Sequence, residues 1–217
     1  MTIRGASGVA STLVFLYTGR ETSYDAVPRP NRNEPGAKQR REAGLAMTSG
    51  RTGAAGYTRE HLLDRARKLA PVLRERAAET NELRRIPETT IRDFWDADLF
   101  YLLRPKKFGG PEVRLDDAWA VAAELGRGDG SAAWVWAIVA VHDLFLSYFP
   151  EETQREFWDR KVLCASSFMP SGKITPDKGG IRLSGKWSFC SGVDSAEWML
   201  LCGMAGMLST NPPIPDI

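Results

Sequence analysis

The sequence has few of the residues that build disulfide frameworks or metal sites. Among its 217 residues are three cysteines, Cys164, Cys190 and Cys202, with no close metal-type spacing, and two histidines, His61 and His142. Three cysteines cannot form a complete disulfide framework, and structural zinc sites normally use four Cys or His ligands. We therefore expect free thiols, a reducing cytoplasm and no metal site.

The sequence also lacks a strong charge bias and a long apolar run. Its 29 Lys and Arg residues and 27 Asp and Glu residues give a net charge of +2. A nucleic-acid-binding domain usually carries a strong basic bias, and a membrane helix needs about 20 apolar residues. The apolar stretch 9–17 resembles a signal-peptide core, but no small-residue cleavage site follows it closely. These features argue against nucleic-acid binding, a membrane span and secretion.

Residues 1–56 lack sustained periodicity and mix Gly, Pro, Arg, Asn and Ser. Such a segment cannot bury enough apolar area to offset the entropy lost on ordering. We expect a disordered extension outside the core. Two explanations stay open: a genuine tail of the protein, or an upstream extension of a reading frame whose translation starts at Met47.

Helical periodicity begins near Tyr57 and continues for about a hundred residues. Helices are predicted to start near Thr58 and Pro87 and to cover 115–126, 132–149 and 150–158. Ser131 is the predicted cap of the helix over 132–149, and that helix is apolar on nearly every side. It should therefore lie at the centre of the fold.

After residue 160 the pattern changes to strands, predicted over 162–168, 181–190 and 198–202, with a loop over 169–173. Helices followed by strands indicate an α+β protein, and the sequence has neither a GxGxxG motif nor a P-loop. We predict a helical domain over 57–160, a partial middle β domain over 161–207 and an irregular tail over 208–217. So few strands would leave open edges, which suggests a truncated chain or an altered tail.

The stretch 182–192, RLSGKWSFCSG, has the alternation of a half-buried strand and ends in small and hydroxyl residues. Ser188, Ser191 and the Gly192 backbone would form an edge rich in hydrogen-bond donors. Such an edge suits a flat, polar cofactor ring.

Five segments in this order resemble one family: 102–110 (LLRPKKFGG), 130–134 (GSAAW), 141–142 (VH), 166–173 (SSFMPSGK) and 183–192 (LSGKWSFCSG). The set, within about 58–206, resembles the acyl-CoA dehydrogenase superfamily. Within it, the resemblance is closest to the flavin-dependent monooxygenases that are oxygenase components of two-component aromatic hydroxylases. This implies a helical domain, a middle β domain and a C-terminal helical bundle, the last without a counterpart in this sequence.

The resemblance implies reduced flavin (FMN or FAD) from a separate reductase, a small aromatic substrate, and a homotetramer for the full-length family member. It places His142 beside the substrate. Imidazole has a pKa near 6.5 and a phenol near 10, so a histidine can accept or share a phenol proton. The alternative is a structural histidine on an apolar helix.

The resemblance also implies a catalytic role for Ser166 or Ser167, one of which would lie near the flavin N5 atom. Spacing does not choose between them, and the alternative is ordinary hydroxyls at a strand end. Phe108 and Gly109 would lie at the rim of the substrate cavity, or would simply belong to a turn between helices.

The remaining candidates would bind the flavin. For Trp134 and Trp187 the alternative is core packing. By resemblance, the flavin-binding set is Trp134, Ser167, Ser171, Gly172, Trp187, Ser188 and Ser191.

Two other functions stay open. An acyl-CoA dehydrogenase would oxidise a CoA thioester with FAD, but the segment 168–172, FMPSG, lacks the Thr-Glu-Pro and Gly-Ser-Asp elements typical of that branch. The third possibility is an inactive fragment or a pseudoenzyme.

Overall fold

Helices precede a sheet along most of the chain. The computed structural model describes residues 3–9, 12–18, 54–177 and 180–204. The helices are α1 (Arg59–Leu83), α2 (Glu88–Asp96), α3 (Leu115–Gly126), α4 (Gly130–Leu146) and α5 (Glu151–Trp158). The strands are β1 (Ile3–Val9), β2 (Thr12–Thr18), β3 (Cys164–Asp177), β4 (Gly180–Ser184) and β5 (Trp198–Met204). The predicted α+β class is confirmed, and β3, β4 and β5 follow the helices as expected, whereas β1 and β2 of the same sheet precede them.

The helix boundaries follow local capping chemistry. The Thr58 hydroxyl accepts from the backbone N–H of His61 at the start of α1, as expected for an N-cap. The predicted cap of α4 was wrong, because Asp129 Oδ1 accepts from the Ser131 N–H at 2.9 Å and the helix begins at Gly130. A carboxylate here also interacts favourably with the helix dipole. The helix ends at Leu146, before the predicted residue 149.

The sheet has the strand order β1-β2-β5-β3-β4, with β3 and β5 parallel and the other pairs antiparallel. The predicted loop over 169–173 was wrong, since these residues lie within β3. The loop-like sequence instead marks an irregularity, because the β3–β5 register shifts between Ser167 and Gly172. The strand predicted over 181–190 also ends early. β4 ends at Ser184, and Phe189 has a left-handed φ of 57° that interrupts extended structure.

Strands β1 and β2 lie within the segment predicted to be disordered. The sequence of β2, TLVFLYT, is rich in apolar and β-branched residues, which is typical of a strand, and most of it lies in the stretch 9–17 that resembles a signal-peptide core. Most of residues 1–53, the possible start at Met47 and the predicted tail over 208–217 lie outside the described residues. The domain boundaries therefore stay a prediction.

Helix α4 lies between the two buried clusters of the protein. Trp136 belongs to the cluster shared with α1, α2 and α3, and Leu146 to the cluster shared with α5 and the sheet. In the second cluster the Trp198 ring packs edge-on against Phe157 at 5.3 Å. The predicted central position of α4 is confirmed. No helix in the described part of the chain is long and apolar enough to cross a membrane.

Two glycines beside α4 should respond very differently to alanine. A methyl group on Gly128 would lie 2.2 Å from the carbonyl oxygen of Ala70, whereas one on Gly130 would meet nothing within 4 Å. Because α1 and α3 pack closely here, we expect Gly128→Ala to lower the free energy of unfolding by about 1–3 kcal/mol. Gly130→Ala should change it by less than about 1 kcal/mol. Urea unfolding measures both values, and equal effects would contradict the close approach.

Candidate functional site

All of the predicted site residues except Phe108 and Gly109 come from three elements that contact one another. Helix α4 carries Trp134 and His142, and it packs against β3. Strand β3 carries Ser166, Ser167, Ser171 and Gly172, whereas Trp187, Ser188 and Ser191 lie in the connection from β4 to β5.

His142 is buried, and its ring nitrogens are poorly satisfied. The residue is 1% exposed, and neither nitrogen makes a hydrogen bond of good geometry within the described part of the chain, although the Cys164 carbonyl lies close enough to favour a ring N–H. Its ring centroid lies 6.1 Å from that of Phe145 and 6.5 Å from that of Phe168. An unsatisfied buried polar group destabilises a protein by about 1–3 kcal/mol. A ligand hydroxyl that reached this ring would remove that penalty.

Burial keeps the His142 imidazole neutral. Desolvation lowers the pKa of His142 to about 4, and the backbone carbonyl of Cys164 only partly opposes it. A neutral imidazole has one N–H donor and one acceptor nitrogen. Near neutral pH, the ring can therefore accept a hydrogen bond from a ligand O–H.

Asp143, next to His142 on α4, was not singled out by the sequence analysis. Trp158 Nε1 donates to Asp143 Oδ1 at 3.3 Å, and Oδ2 has no partner among the described residues. Desolvation raises the pKa of Asp143 to about 7, although Trp158 and Arg104 favour the charged form. An acid beside a histidine on an otherwise apolar helix is the sequence signal that could have identified it.

Ser166 and Ser167 are both buried, and Ser167 has a defined partner. Its hydroxyl donates to the backbone carbonyl of Ser188 at 2.9 Å, which joins β3 to the connection after β4. Ser166 pairs with Leu200 in the β3–β5 register. Because neighbouring strand residues point to opposite faces of a sheet, the Ser166 and Ser167 hydroxyls are expected on opposite faces of β3.

Further hydrogen bonds hold the β4–β5 connection on the sheet. Ser171 Oγ donates to the Lys186 carbonyl at 3.0 Å, and Trp187 Nε1 donates to the Cys202 carbonyl at 2.8 Å. A methyl group on Gly172 would lie 2.5 Å from the Trp187 ring. Trp187 is therefore packed over Gly172, with its N–H already used.

Trp134 is the most exposed of the aromatic candidates. Its side chain is 61% exposed, so the core-packing alternative for this residue was wrong. Its Nε1 donates to Ser191 Oγ at 3.1 Å, which joins α4 to the predicted hydroxyl-rich edge. Ser188, in the same connection, is exposed.

The Phe108–Gly109 segment, predicted to lie at the rim of the substrate cavity, packs against the second buried cluster. Phe108 is buried and its ring centroid lies 4.6 Å from that of Trp158, inside the second cluster. Gly109 has a left-handed φ of 77°, and a methyl group on Gly110 would lie 2.1 Å from the Arg104 carbonyl. These contacts are those of a tight turn, and none joins Phe108 to His142.

The exposed residues around α4 and β3 combine apolar surface with a few polar groups. Phe168 and Met169 are 48% and 63% exposed, and Ser188 and Ser191 lie in the neighbouring connection. A flat heteroaromatic ring needs this combination, so the residues present fit a flavin.

The sequence is similar to that of several known proteins. Residues 58–164 match the family described as acyl-CoA dehydrogenase, N-terminal domain. The chain is 34% identical over 143 residues to the oxygenase subunit HsaA of a flavin-dependent monooxygenase from Rhodococcus jostii, covering 65% of this chain and 37% of that protein. It is 32% identical over 156 residues to the oxygenase component of an FADH(2)-dependent resorcinol hydroxylase from a Rhizobium species, covering 71% of this chain and 38% of that protein.

The chain also matches solved structures of related proteins. HsaA monooxygenase from M. tuberculosis matches with a TM-score of 0.64 at 32% identity, over 67% of this chain and 40% of that one. XiaF from a Streptomyces species, solved with FADH2 and glycerol, matches with a TM-score of 0.64 at 30% identity, over 70% of this chain and 39% of that one. The chain thus spans about two fifths of the length of these relatives.

Proposed function

We propose that this chain, which carries an acyl-CoA dehydrogenase N-terminal domain over residues 58–164, serves in a flavin-dependent monooxygenase that hydroxylates a phenolic substrate. The reaction would use reduced flavin and O2. The observation that carries the proposal is the buried, neutral imidazole of His142, which makes no hydrogen bond of good geometry within the described part of the chain. It lies on α4, the helix that also carries Trp134, and near strand β3.

His142, Trp134 and Ser191 would each have a separate role in the reaction. Reduced flavin supplies the activation of O2 when it is bound. His142 would accept the hydrogen bond of the substrate hydroxyl, which makes the aromatic ring more nucleophilic. Because its pKa is about 4, it would take the hydroxyl proton only as the new C–O bond forms and that hydroxyl becomes acidic. The exposed Trp134 would flank the substrate and flavin, and its hydrogen bond would fix the Ser191 hydroxyl for contact with the flavin edge.

The remaining predicted roles are parts of the same proposal. One hydroxyl of the Ser166–Ser167 pair would lie near the flavin, and Ser171, Gly172 and the Trp187–Ser188 segment would support it. A separate flavin reductase, a homotetrameric assembly and a cytoplasmic location are likewise proposed. The names of relatives support the reductase, because two of them are oxygenase components.

Product analysis tests the proposal. The protein, a flavin reductase, NADH, flavin and a panel of phenols are incubated under ¹⁸O2, and products are identified by mass spectrometry. We expect a hydroxylated phenol that contains one ¹⁸O atom, with FMN and FAD compared as separate arms. Reduction of a dye by an acyl-CoA without phenol hydroxylation would instead establish an acyl-CoA dehydrogenase. Neither reaction, together with no reduced-flavin binding, would support the inactive alternative.

A further inference from the structure

A cleft of about 510 Å³ lies where the end of α1, the start of α4 and the loop 189–195 meet. Its volume is in the range of small-molecule sites. Arg84 and Arg85 line it beside the hydroxyl residues Ser131 and Ser191. Apart from Ser191, no residue of the proposed flavin or substrate site belongs to this lining.

The cleft carries an excess of positive charge. The guanidinium groups of Arg84 and Arg85 form no salt bridge or side-chain hydrogen bond with another described residue, and both side chains are exposed. Asp194 is the one acidic residue in the described lining, so two cations face one carboxylate. Arginine presents a planar set of donors that matches carboxylate and phosphate oxygens.

Two residues that line this cleft have an unusual backbone conformation. Arg84 and Phe189 have left-handed φ angles of 53° and 57°. Arg84 ends α1, where glycine is favoured, and a bulky residue in this conformation is strained by roughly 1 kcal/mol or more. Both residues line the same cleft. Phe189 is 96% exposed, so its ring is available to an aromatic ligand.

We propose that this cleft binds the carboxylate or phosphate of a small aromatic ligand, with Arg84 and Arg85 on the anion and Phe189 against the ring. The inference deepens the proposed function and rests on it, because the ligands are those of the monooxygenase, but anion binding can be measured without O2 or turnover. Ser191 connects the two sites, since it lines the cleft and accepts from the Trp134 indole. The anion is the acid group of a substrate or the phosphate of a flavin.

Paired ligands distinguish these sources. Isothermal titration measures 4-hydroxyphenylacetate against its neutral amide, and FMN against riboflavin, which lacks the phosphate. A tenfold or greater preference for the acid over the amide identifies a substrate acid group. The same preference for FMN over riboflavin identifies a flavin phosphate. Either preference supports the proposal.

Matched variants locate the interaction. Arg84→Gln and Arg85→Gln should each lower the affinity for the preferred anion about tenfold and leave the neutral partner unchanged. Arg92→Gln, an exposed arginine on α2 outside the cleft, is the control and should have no effect. Circular dichroism confirms that each variant is folded.

Equal affinity for charged and neutral partners, absence of binding to all four compounds, or an equal loss in Arg92→Gln would overturn the proposal. Hydroxylation of a neutral phenol remains a separate readout. If the protein hydroxylates a neutral phenol but shows no preference for an anion, only the cleft proposal fails. If it prefers an anion but does not hydroxylate a neutral phenol, only the monooxygenase proposal fails.

Discussion

His142→Gln is expected to lower phenol hydroxylation by about 10²–10⁴-fold, the usual contribution of a positioned general base. The glutamine side chain can hydrogen-bond a substrate hydroxyl but cannot take its proton near neutral pH. His142 is buried beside the rings of Phe145 and Phe168, neither of which can accept a proton. The rate is measured from product formed per turnover of reduced flavin.

The second histidine of the chain is the matched control. His61 lies exposed near the start of α1, so His61→Gln should leave the rate unchanged. Reduced-flavin affinity should stay the same in both variants, measured anaerobically. If His142→Gln hydroxylates at the normal rate, the histidine is a structural residue. If flavin affinity falls with the rate, its role is to shape the flavin site.

Sequence periodicity predicted the helical half of the molecule well, because capping and apolar spacing are local. The prediction over 115–126 agrees with α3 at both ends, and Thr58 caps α1 as expected. Ser131 was a reasonable cap by residue type. However, Asp129 lies two residues earlier and supplies a carboxylate to the same helix end.

The β unit was harder to predict because its geometry depends on contacts between distant segments. Ser171 and Gly172 have loop-like composition, yet they continue β3 through an irregular register. Gly172 is required there because Trp187, fifteen residues later, packs over it. Alternation across 186–190 indicated a strand, but the left-handed Phe189 backbone breaks it.

The site could be predicted only in part. Family resemblance selected His142, Ser167 and Ser191, all of which lie on elements that meet in the structure. The Trp134–Ser191 hydrogen bond and the buried state of Asp143 are tertiary facts that no local pattern contains. Asp143 was overlooked although an acid beside a histidine on an apolar helix is visible in the sequence, because no motif assigns that pair a role.

The buried pair His142 and Asp143 should have opposite effects on stability as pH changes. The folded-state pKa of His142, about 4, lies below its ordinary value of 6.5, so its contribution to stability is lost as pH falls from 6.5 to 4. The folded-state pKa of Asp143, about 7, lies above its ordinary value of 3.8, so its contribution is lost as pH rises from 3.8 to 7. Each effect is on the order of 3–4 kcal/mol.

Because the two windows overlap, the native protein should show little change in unfolding free energy between pH 4 and pH 6.5. Asp143→Asn should remove the pH dependence that Asp143 contributes and leave that of His142, so that the unfolding free energy of this variant rises by about 3 kcal/mol as pH rises across this range. His142→Gln should remove the pH dependence that His142 contributes, so that the unfolding free energy falls by a similar amount as pH rises from 4 to 7. Urea unfolding at half-unit pH intervals measures all three curves. Parallel curves would show that neither group has a different pKa in the folded and unfolded states, whereas slopes of opposite sign in the two variants would show that the two neighbours offset each other.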